Sequence, residues 1–382
     1  SGWTLVEALV KRIFELKRSE LSSWTEDPER YVHEEEAADW GGGDSLIRPV
    51  CESLFSTIVV RNPLIAVRLL AMTESVAAEC GAAWNQFLGQ VGQLHKECLA
   101  TSQWNAADYK KACDSILPPF LFYDACLRAV SLASYDLSDK IPFSNWFSTQ
   151  FAPLMQLKVH ISAEGSSMPI AIETPLALRV VKARAASLVS KLVLQIGREA
   201  RHIIYDILVS LMQPEEADIV VALCCSRALH FMVDDTAFKS AEFGLLLQPT
   251  IGRIFRLILV CKETDSKQQL LYFVTALIER CPREISIETI NIMAQHLPVV
   301  WNSVDSNENV IVEVNHVETK RTSYNSNYAS NWDDDDDGYG DDGYGDAEDN
   351  YFGTDTDGEK AVSHLRSTII TLLRRMLEAL SE

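Results

Sequence analysis

An all-α fold, a solenoid of antiparallel helix pairs interrupted by a disordered acidic insertion, is what this sequence predicts, and three observations carry the prediction. Apolar residues recur at steps of three and four almost throughout, the signature of helices that bury one stripe. Partner stripes, such as those beginning at Leu178, Val220 and Leu270, return about 40 to 50 residues apart, near the HEAT or armadillo period. One internal stretch, 304–361, abandons the pattern for Asp, Gly, Asn and Tyr. A globular helical bundle is the competing architecture.

The first helix, 2–19, carries Glu7, Lys11, Arg12 and Glu15 at helical spacing. Gly41 to Gly43 form a joint, after which Asp44 and Ser45 offer an N-cap for a helix at 44–60. Pro63 opens 63–79, which is followed by 81–99; Pro119 opens 119–137, Pro142 opens 142–157 and Pro175 opens 174–195, because a first-turn proline costs no hydrogen bond. Within 174–195 the stripe is Leu178, Val181, Ala185, Leu188 and Leu192. Helices at 198–212 and 216–233 follow. The stripe Leu247, Ile251, Ile254, Ile258 marks 239–260, and Leu270, Val274, Leu277, Cys281 marks 266–281. Ile287, Ile290, Ala294, Leu297 and Trp301 mark 286–303; Val362, Leu365, Ile369, Leu372 and Met376 mark 362–381. The chain thus divides into a solenoid segment, 1–303, an acidic low-complexity loop, 304–361, and a solenoid helix that resumes at 362–382. The loop holds too little apolar surface to offset the entropy of ordering it. A start at Ser1 already within a helical pattern reads as a piece of a longer chain.

With 382 residues and 47% hydrophobic content the chain can bury a large core. Its net charge of −20 is concentrated. Residues 331–359 carry thirteen acidic and no basic side chains, and residues 25–39 carry seven acidic and one basic. The remainder is close to neutral. Nucleic acid is therefore an unsuitable partner, whereas basic protein surfaces are suitable ones. Nine cysteines, an odd number without C-x-x-C spacing, read as reduced core residues. The first twenty residues contain no secretory h-region, and uncharged runs such as Ile141 to Leu157 hold too many polar residues for a bilayer, so no membrane span is expected.

Catalytic patterns are missing: there is no H-E-x-x-H, G-x-S-x-G or phosphate-binding glycine loop ending in Lys. No enzyme, cofactor or metal is expected. Asp333-x-Asp335-x-Asp337-Gly338 copies the first half of a calcium-binding loop, but its twelfth position is Tyr344, which supplies no carboxylate. The tract Asp333, Asp334, Asp335, Asp336, Asp337 with Asp341, Asp342 and Asp346 reads instead as a solvated acidic arm, the candidate partner-binding site of the chain. His202 and His230 read as packed or surface side chains. Arg184, Lys191 and Arg198 fall seven apart on one expected helix face, a solvated face rather than a functional ridge.

One motif is more specific. In Trp24-Thr25-Glu26-Asp27-Pro28-Glu29-Arg30-Tyr31-Val32-His33-Glu34-Glu35-Glu36, Asp27 can cap a short helix with Pro28 at its first position, while Trp24, Tyr31 and Val32 supply apolar anchors. Its wording, carried by Trp24, Asp27, Pro28, Glu29, Tyr31, Val32, Glu34 and Glu35, resembles a segment in the middle of importin-β type nuclear transport receptors. Further blocks resemble the importin eleven type in order: Leu46 to Phe55, Ala129 to Leu137 followed by Phe143 to Phe147, Val233 to Phe238, Ala276 to Arg280, and Leu297 to Trp301. Residues 158–173 look expanded, Ala222 stands where such repeats commonly have Arg, and the insertion at 304–361 has no counterpart. The resemblance implies a HEAT-repeat nuclear import receptor that shuttles between cytoplasm and nucleus. It further implies basic protein cargo, phenylalanine-glycine nucleoporins and the GTPase Ran as partners, the main Ran contact lying outside this segment. A HEAT scaffold without a transport role is the alternative.

Overall fold

A computed structural model describes residues 2–39, 47–101, 103–134, 143–159, 174–213, 218–314 and 356–381. Those residues hold fifteen α-helices and, among them, no strand. In chain order they are α1 Gly2–Leu9, α2 Arg18–Glu26, α3 Pro28–Asp39, α4 Ile47–Arg61, α5 Pro63–Thr101, α6 Ala106–Leu132, α7 Phe143–Trp146, α8 Ala152–Met155, α9 Leu176–Lys191, α10 Arg198–Leu211, α11 Ile219–Asp234, α12 Ser240–Val260, α13 Thr264–Arg280, α14 Ile287–Val314 and α15 Thr356–Ser381. Short π-helical turns follow α1, at Val10–Phe14, and separate α7 from α8, at Phe147–Phe151.

The helices stack as two rows. α6, α9, α11, α13 and α15 each pack on the next to form the first row, and α8, α10, α12 and α14 form the second, with α5 lying along α6. Consecutive helices pair across the rows: α10 with α11, α12 with α13, α14 with α15. Helices α9, α11 and α13 begin at residues 176, 219 and 264, 43 and then 45 residues apart, which is the repeat length that the stripes imply. The all-α solenoid of HEAT-like pairs expected from the sequence is therefore the fold observed.

Inner helices of the first row are buried on more than one side, because each has a neighbour before and after it. α9 buries Leu178, Val181, Ala185 and Leu188, and also Val180, Ala183, Ala186 and Val189. α12 has the length and apolarity of a membrane span, which the sequence reading overlooked. Its stripe Phe243, Leu247, Ile251, Ile254 and Ile258 is buried in the stack, as in the core helix of a solenoid.

Several element boundaries differ from expectation, each for a local reason. The helix expected at 2–19 breaks at Glu15, whose backbone is extended. Arg48 Nε donates to the Ile13 carbonyl at 3.2 Å, and the Glu20 carboxylate takes the Lys17 N–H at 2.6 Å, so the freed backbone groups at the break are satisfied. The two helices expected at 63–79 and 81–99 are the single α5. Its buried stripe, Leu69, Thr73, Val76, Cys80, Trp84, Phe87 and Val91, stays in helical register through Gly81. A mid-helix glycine costs only about 0.5–1 kcal/mol against that burial.

Pro119 does not open a helix, because α6 starts at Ala106 and contains both Pro118 and Pro119. The carbonyls those prolines deprive of a donor belong to Asp114 and Ser115, both exposed and able to bind water instead. The same arrangement serves Pro249 in α12 and Pro298 in α14, where the carbonyls that lose their usual donor belong to the exposed Leu245 and Ala294. Pro175 stands one residue before α9 rather than in its first turn. α14 continues eleven residues beyond the expected end at 303, and α15 begins six before 362. The proposed caps Asp44 and Ser45, and the acidic tract, lie outside the described residues.

All nine cysteines are free thiols. Burial pushes the Cys80, Cys126 and Cys281 thiols up to about 12, so almost no thiolate exists there at neutral pH. Cys51, Cys98, Cys113 and Cys224 are partly exposed. A disulfide reagent at pH 7.5 should therefore modify these four first and the five buried thiols at least about a hundredfold more slowly, at the rate of local opening. Mass mapping of the modified peptides checks the order. Early labelling of Cys80 or Cys126 would mean that α5 and α6 do not pack as described.

Candidate functional site

The acidic motif lies across the solenoid instead of within it. Asp27 Oδ1 accepts the Arg30 N–H at 3.3 Å and Pro28 opens α3, as the residue order requires. Tyr31 and Val32 share a helix face with Glu35, and that face meets the first row. Trp24, Tyr31 and Val32 are buried, with the Trp24 and Tyr31 rings 4.9 Å apart. The Trp24 indole N–H donates to Asp218 Oδ2 at 2.9 Å, and the same oxygen receives Arg179 of α9 at 2.9 Å, while Asp218 Oδ1 caps α11 through the Val221 N–H.

Two glutamates of the motif are consumed internally. Glu29 is buried and accepts the Lys262 N–H at 2.6 Å and the Glu263 N–H at 3.0 Å, so that its carboxylate caps the start of α13 from 233 residues away. Glu35 receives Arg128 of α6 on both oxygens, Arg184 of α9 at 3.1 Å and, at longer range, Arg48 of α4 at 3.7 Å. Arg128 also reaches Glu52 at 3.0 Å, Arg184 reaches Asp124 at 2.8 Å, and Arg48 pairs with Glu20. Four carboxylates thus surround three guanidinium groups. Glu34 is different: it is exposed and, among the described residues, pairs with Arg30 one turn away.

The electrostatics follow from that geometry. Burial alone would raise the Glu35 carboxyl, but Arg128 and Arg184 outweigh it and hold the group well below the carboxylate range. Asp124 goes the other way; burial raises it, and Arg184 and Arg128 only partly compensate. Burial and then the neighbouring Glu35 push the Tyr31 phenol up. A cleft of about 80 Å³ beside the network is lined by Glu35, Asp124, Arg128, Arg184, Lys191 and Arg227, and Asp124 Oδ2 and Arg128 Nε have no hydrogen-bond partner among the described residues. α2 and α3 therefore form a strap that ties α6, α9, α11 and α13 together. Glu29 and Glu35 are thus spent inside the protein and take no part in the expected attraction of 25–39 to basic partners, whereas Glu34 stays on the surface.

Other expectations fall out differently. Arg184, Lys191 and Arg198 are not one face: Arg184 is buried in the network, and Arg198 opens α10 and pairs with Glu242 of α12. His202 is half exposed beside Glu242, and His230 stacks on Phe273 with ring centroids 5.3 Å apart, its imidazole lowered by burial. Sequence reasoning missed Arg48, Glu52, Asp124 and Arg128. A signal was available, since Asp124 and Arg128 stand one helical turn apart inside the apolar run Phe120 to Val130, where unpaired charge is not tolerated. Among the described residues no three His, Cys, Asp or Glu side chains converge as metal donors. Beyond the strap, the first row opens into a groove of about 160 Å³ between α11 and α13, where Phe231 and Tyr272 are about half exposed.

No family model matches the chain. It is similar to importin-11 of Homo sapiens, 27% identical over 298 residues, which spans 77% of this chain and 25% of that protein. It is also similar to the importin beta-like protein KAP120 of Saccharomyces cerevisiae, 20% identical over 314 residues, 81% of this chain and 26% of that one. The solved structure of Lph2, a bidirectional nuclear transport receptor of S. cerevisiae, aligns with a TM-score of 0.58 and 20% identity over 82% of this chain and 27% of that chain. The chain spans about a quarter of the length of these relatives. The resemblance to importin-β type receptors read from the motif and its following blocks is thereby borne out, and the solenoid fold is common to the solved transport receptor.

Proposed function

We propose that this chain is the central segment of a nuclear import receptor of the importin-β type, a binding protein rather than an enzyme. The observation that carries the reading is the ordered similarity to importin-11 along most of the chain. The stacked helix pairs support it physically, because a solenoid presents a long surface on which a protein partner can be wrapped. In this reading the receptor shuttles between cytoplasm and nucleus, takes basic protein cargo, passes phenylalanine-glycine nucleoporins and releases its cargo to GTP-loaded Ran. The main Ran contact lies outside this segment. The groove between α11 and α13, with Phe231 and Tyr272, offers cargo an apolar contact next to the strap. The test is import of labelled basic cargo into permeabilised cells by the full-length receptor, with Ran loaded with a non-hydrolysable GTP analogue as the release step. Cargo that stays bound in the presence of that Ran would leave a HEAT scaffold without a transport role.

The acidic tract Asp333 to Asp337, with Asp341, Asp342 and Asp346, acts in this proposal as an electrostatic arm for basic cargo. Within a Debye length, about 8 Å at physiological salt, clustered carboxylates raise the encounter rate more than the residence time. Replacing all eight by Asn or Ser should slow association at low salt by about tenfold and change little at high salt. Stopped-flow association across a salt series reads this directly. Equal salt slopes for the two proteins would leave the tract a solubilising insertion.

A further inference from the structure

We infer that the cleft beside the strap is a binding site for a neutral side-chain carboxamide, that of an Asn or Gln presented by a protein partner. Asp124 and Arg128 stand one turn apart on α6, 1% and 5% exposed, and each spends only part of its hydrogen-bonding capacity inside the network. Arg128 gives Nη1 to Glu52 at 3.0 Å and Nη2 to Glu35, which leaves Nε. Asp124 takes Arg184 on Oδ1 at 2.8 Å, which leaves Oδ2. Neither remaining atom has a hydrogen-bond partner among the described residues, and both residues line the cleft. Buried polar atoms are costly unless bonded, so a donor and an acceptor left on one helix face define what completes them: a group with one acceptor and one N–H. A primary carboxamide carries both in one plane.

Charge excludes the alternatives. A Lys or Arg side chain entering the cleft would meet Arg128, Arg184, Lys191 and Arg227, and a carboxylate or phosphate would meet Glu35 and Asp124. Like charges repel strongly where water is scarce, whereas a neutral dipole faces neither sign as a penalty. The volume of about 80 Å³ is that of about two or three waters at about 30 Å³ each, enough for the amide head of one side chain and too small for a chain to pass through. The neighbouring groove between α11 and α13 points to a protein as the source. Arg227 lines both spaces, and its guanidinium lies 5.8 Å from the ring centroid of the half-exposed Phe231. A partner segment lying in that groove can lower one side chain past Arg227 into the cleft. The chemistry of the cleft stands on its geometry; only the protein source rests on the receptor reading above.

Cys224 of α11 is partly exposed and lines the cleft, so the site can be probed without altering the network. The full-length protein is equilibrated with mercaptoethanol and, in turn, with small disulfides that place on Cys224 a butanamide, its isosteric methyl ketone, a butanoate, a propylammonium or a plain pentyl chain. Peptide mass mapping gives the mixed-disulfide yield at Cys224 relative to that at Cys98, a partly exposed thiol of α5 that does not line the cleft. The carboxamide should be favoured at Cys224 by at least about fivefold over the carboxylate, ammonium and alkyl chains, the worth of a hydrogen bond to a buried charged group, with the ketone in between and no such order at Cys98. Equal yields for the carboxamide and the alkyl chain would overturn the inference and leave the two buried atoms to water. A preference for either charged group would overturn it, as would parity of the ketone with the carboxamide, since Asp124 would then take no part. A Cys224 that no reagent reaches would overturn it as well, because the cleft would be closed. Cargo import does not enter this measurement, so the inference and the receptor reading fail separately.

Discussion

Glu35→Gln should destabilise the protein by about 3–5 kcal/mol, measured by chemical denaturation at pH 7, because it leaves the Arg128 and Arg184 guanidinium groups buried without their shared countercharge. Both arginines are nearly excluded from water, so they cannot regain solvation without moving α6 or α9. Glu34→Gln is the control. That carboxylate is exposed and paired with Arg30 of its own helix, and its replacement should cost no more than about 0.5 kcal/mol. The strap should respond first, with amide exchange across Pro28–Asp39 rising in Glu35→Gln before the stack opens. Equal stability of the two variants would show that the strap is not held by Glu35.

The same carboxylate makes a pH prediction whose sign is fixed by its environment. Its folded value is depressed from the ordinary 4.5, so the stabilisation is complete above about pH 4.5 and is lost as pH falls through the lower folded value. Asp124 contributes with the opposite sign. Its folded value is raised, so its charged form is disfavoured by folding at neutral pH and that penalty is relieved on acidification. Acid unfolding should therefore be shallower in Glu35→Gln than in the parent protein, since the carboxylate whose protonation weakens the fold has been removed. Urea midpoints between pH 3 and pH 7 read the difference.

Helix identity was legible in the sequence because burial leaves a period, and the stack magnifies it: α9, α11 and α13 restart the same stripe every 43 to 45 residues. Boundaries were less legible where backbone groups are satisfied from a distance. The break at Glu15 depends on Arg48, and no local pattern around Glu15 announces it. Prolines misled for the same reason. Pro119 reads as a helix start, yet its cost depends on whether the carbonyl of Ser115 faces water, which is a property of the packed helix. The strap was half legible. Its cap, its first-turn proline and its apolar anchors are local, whereas the partners of Glu29 and Glu35 are 233 and 93 residues away and carry no pattern in the chain. A run of acidic residues looks the same whether it faces solvent or buried arginines, so the charge pattern of 25–39 could not separate Glu34 from Glu35.

Asp235→Ala is expected to cost about 3–5 kcal/mol as well, because its carboxylate is buried against Arg201. Asp235 closes α11 at a junction of three helices. Its carboxylate pairs with Arg201 of α10, whose Nε and Nη2 also donate to the Ile196 and Val193 carbonyls at 3.2 and 3.1 Å. Its own carbonyl accepts Arg280 of α13 at 2.9 Å, and the Arg280 guanidinium lies 5.8 Å from the Phe238 ring centroid. One residue thus sets how one helix pair leans on the next, with Arg201 and Asp235 both buried. Removing the carboxylate strands Arg201; Arg201→Met conversely strands Asp235. The double variant Arg201→Met with Asp235→Ala removes both charges, so its loss should fall short of the sum of the single losses by about 2 kcal/mol or more. Denaturation of the four proteins completes the cycle. Additive losses would mean that the two side chains do not interact, and that the joint between these helix pairs is held by apolar packing of Phe238 and Phe243 on Tyr205 instead.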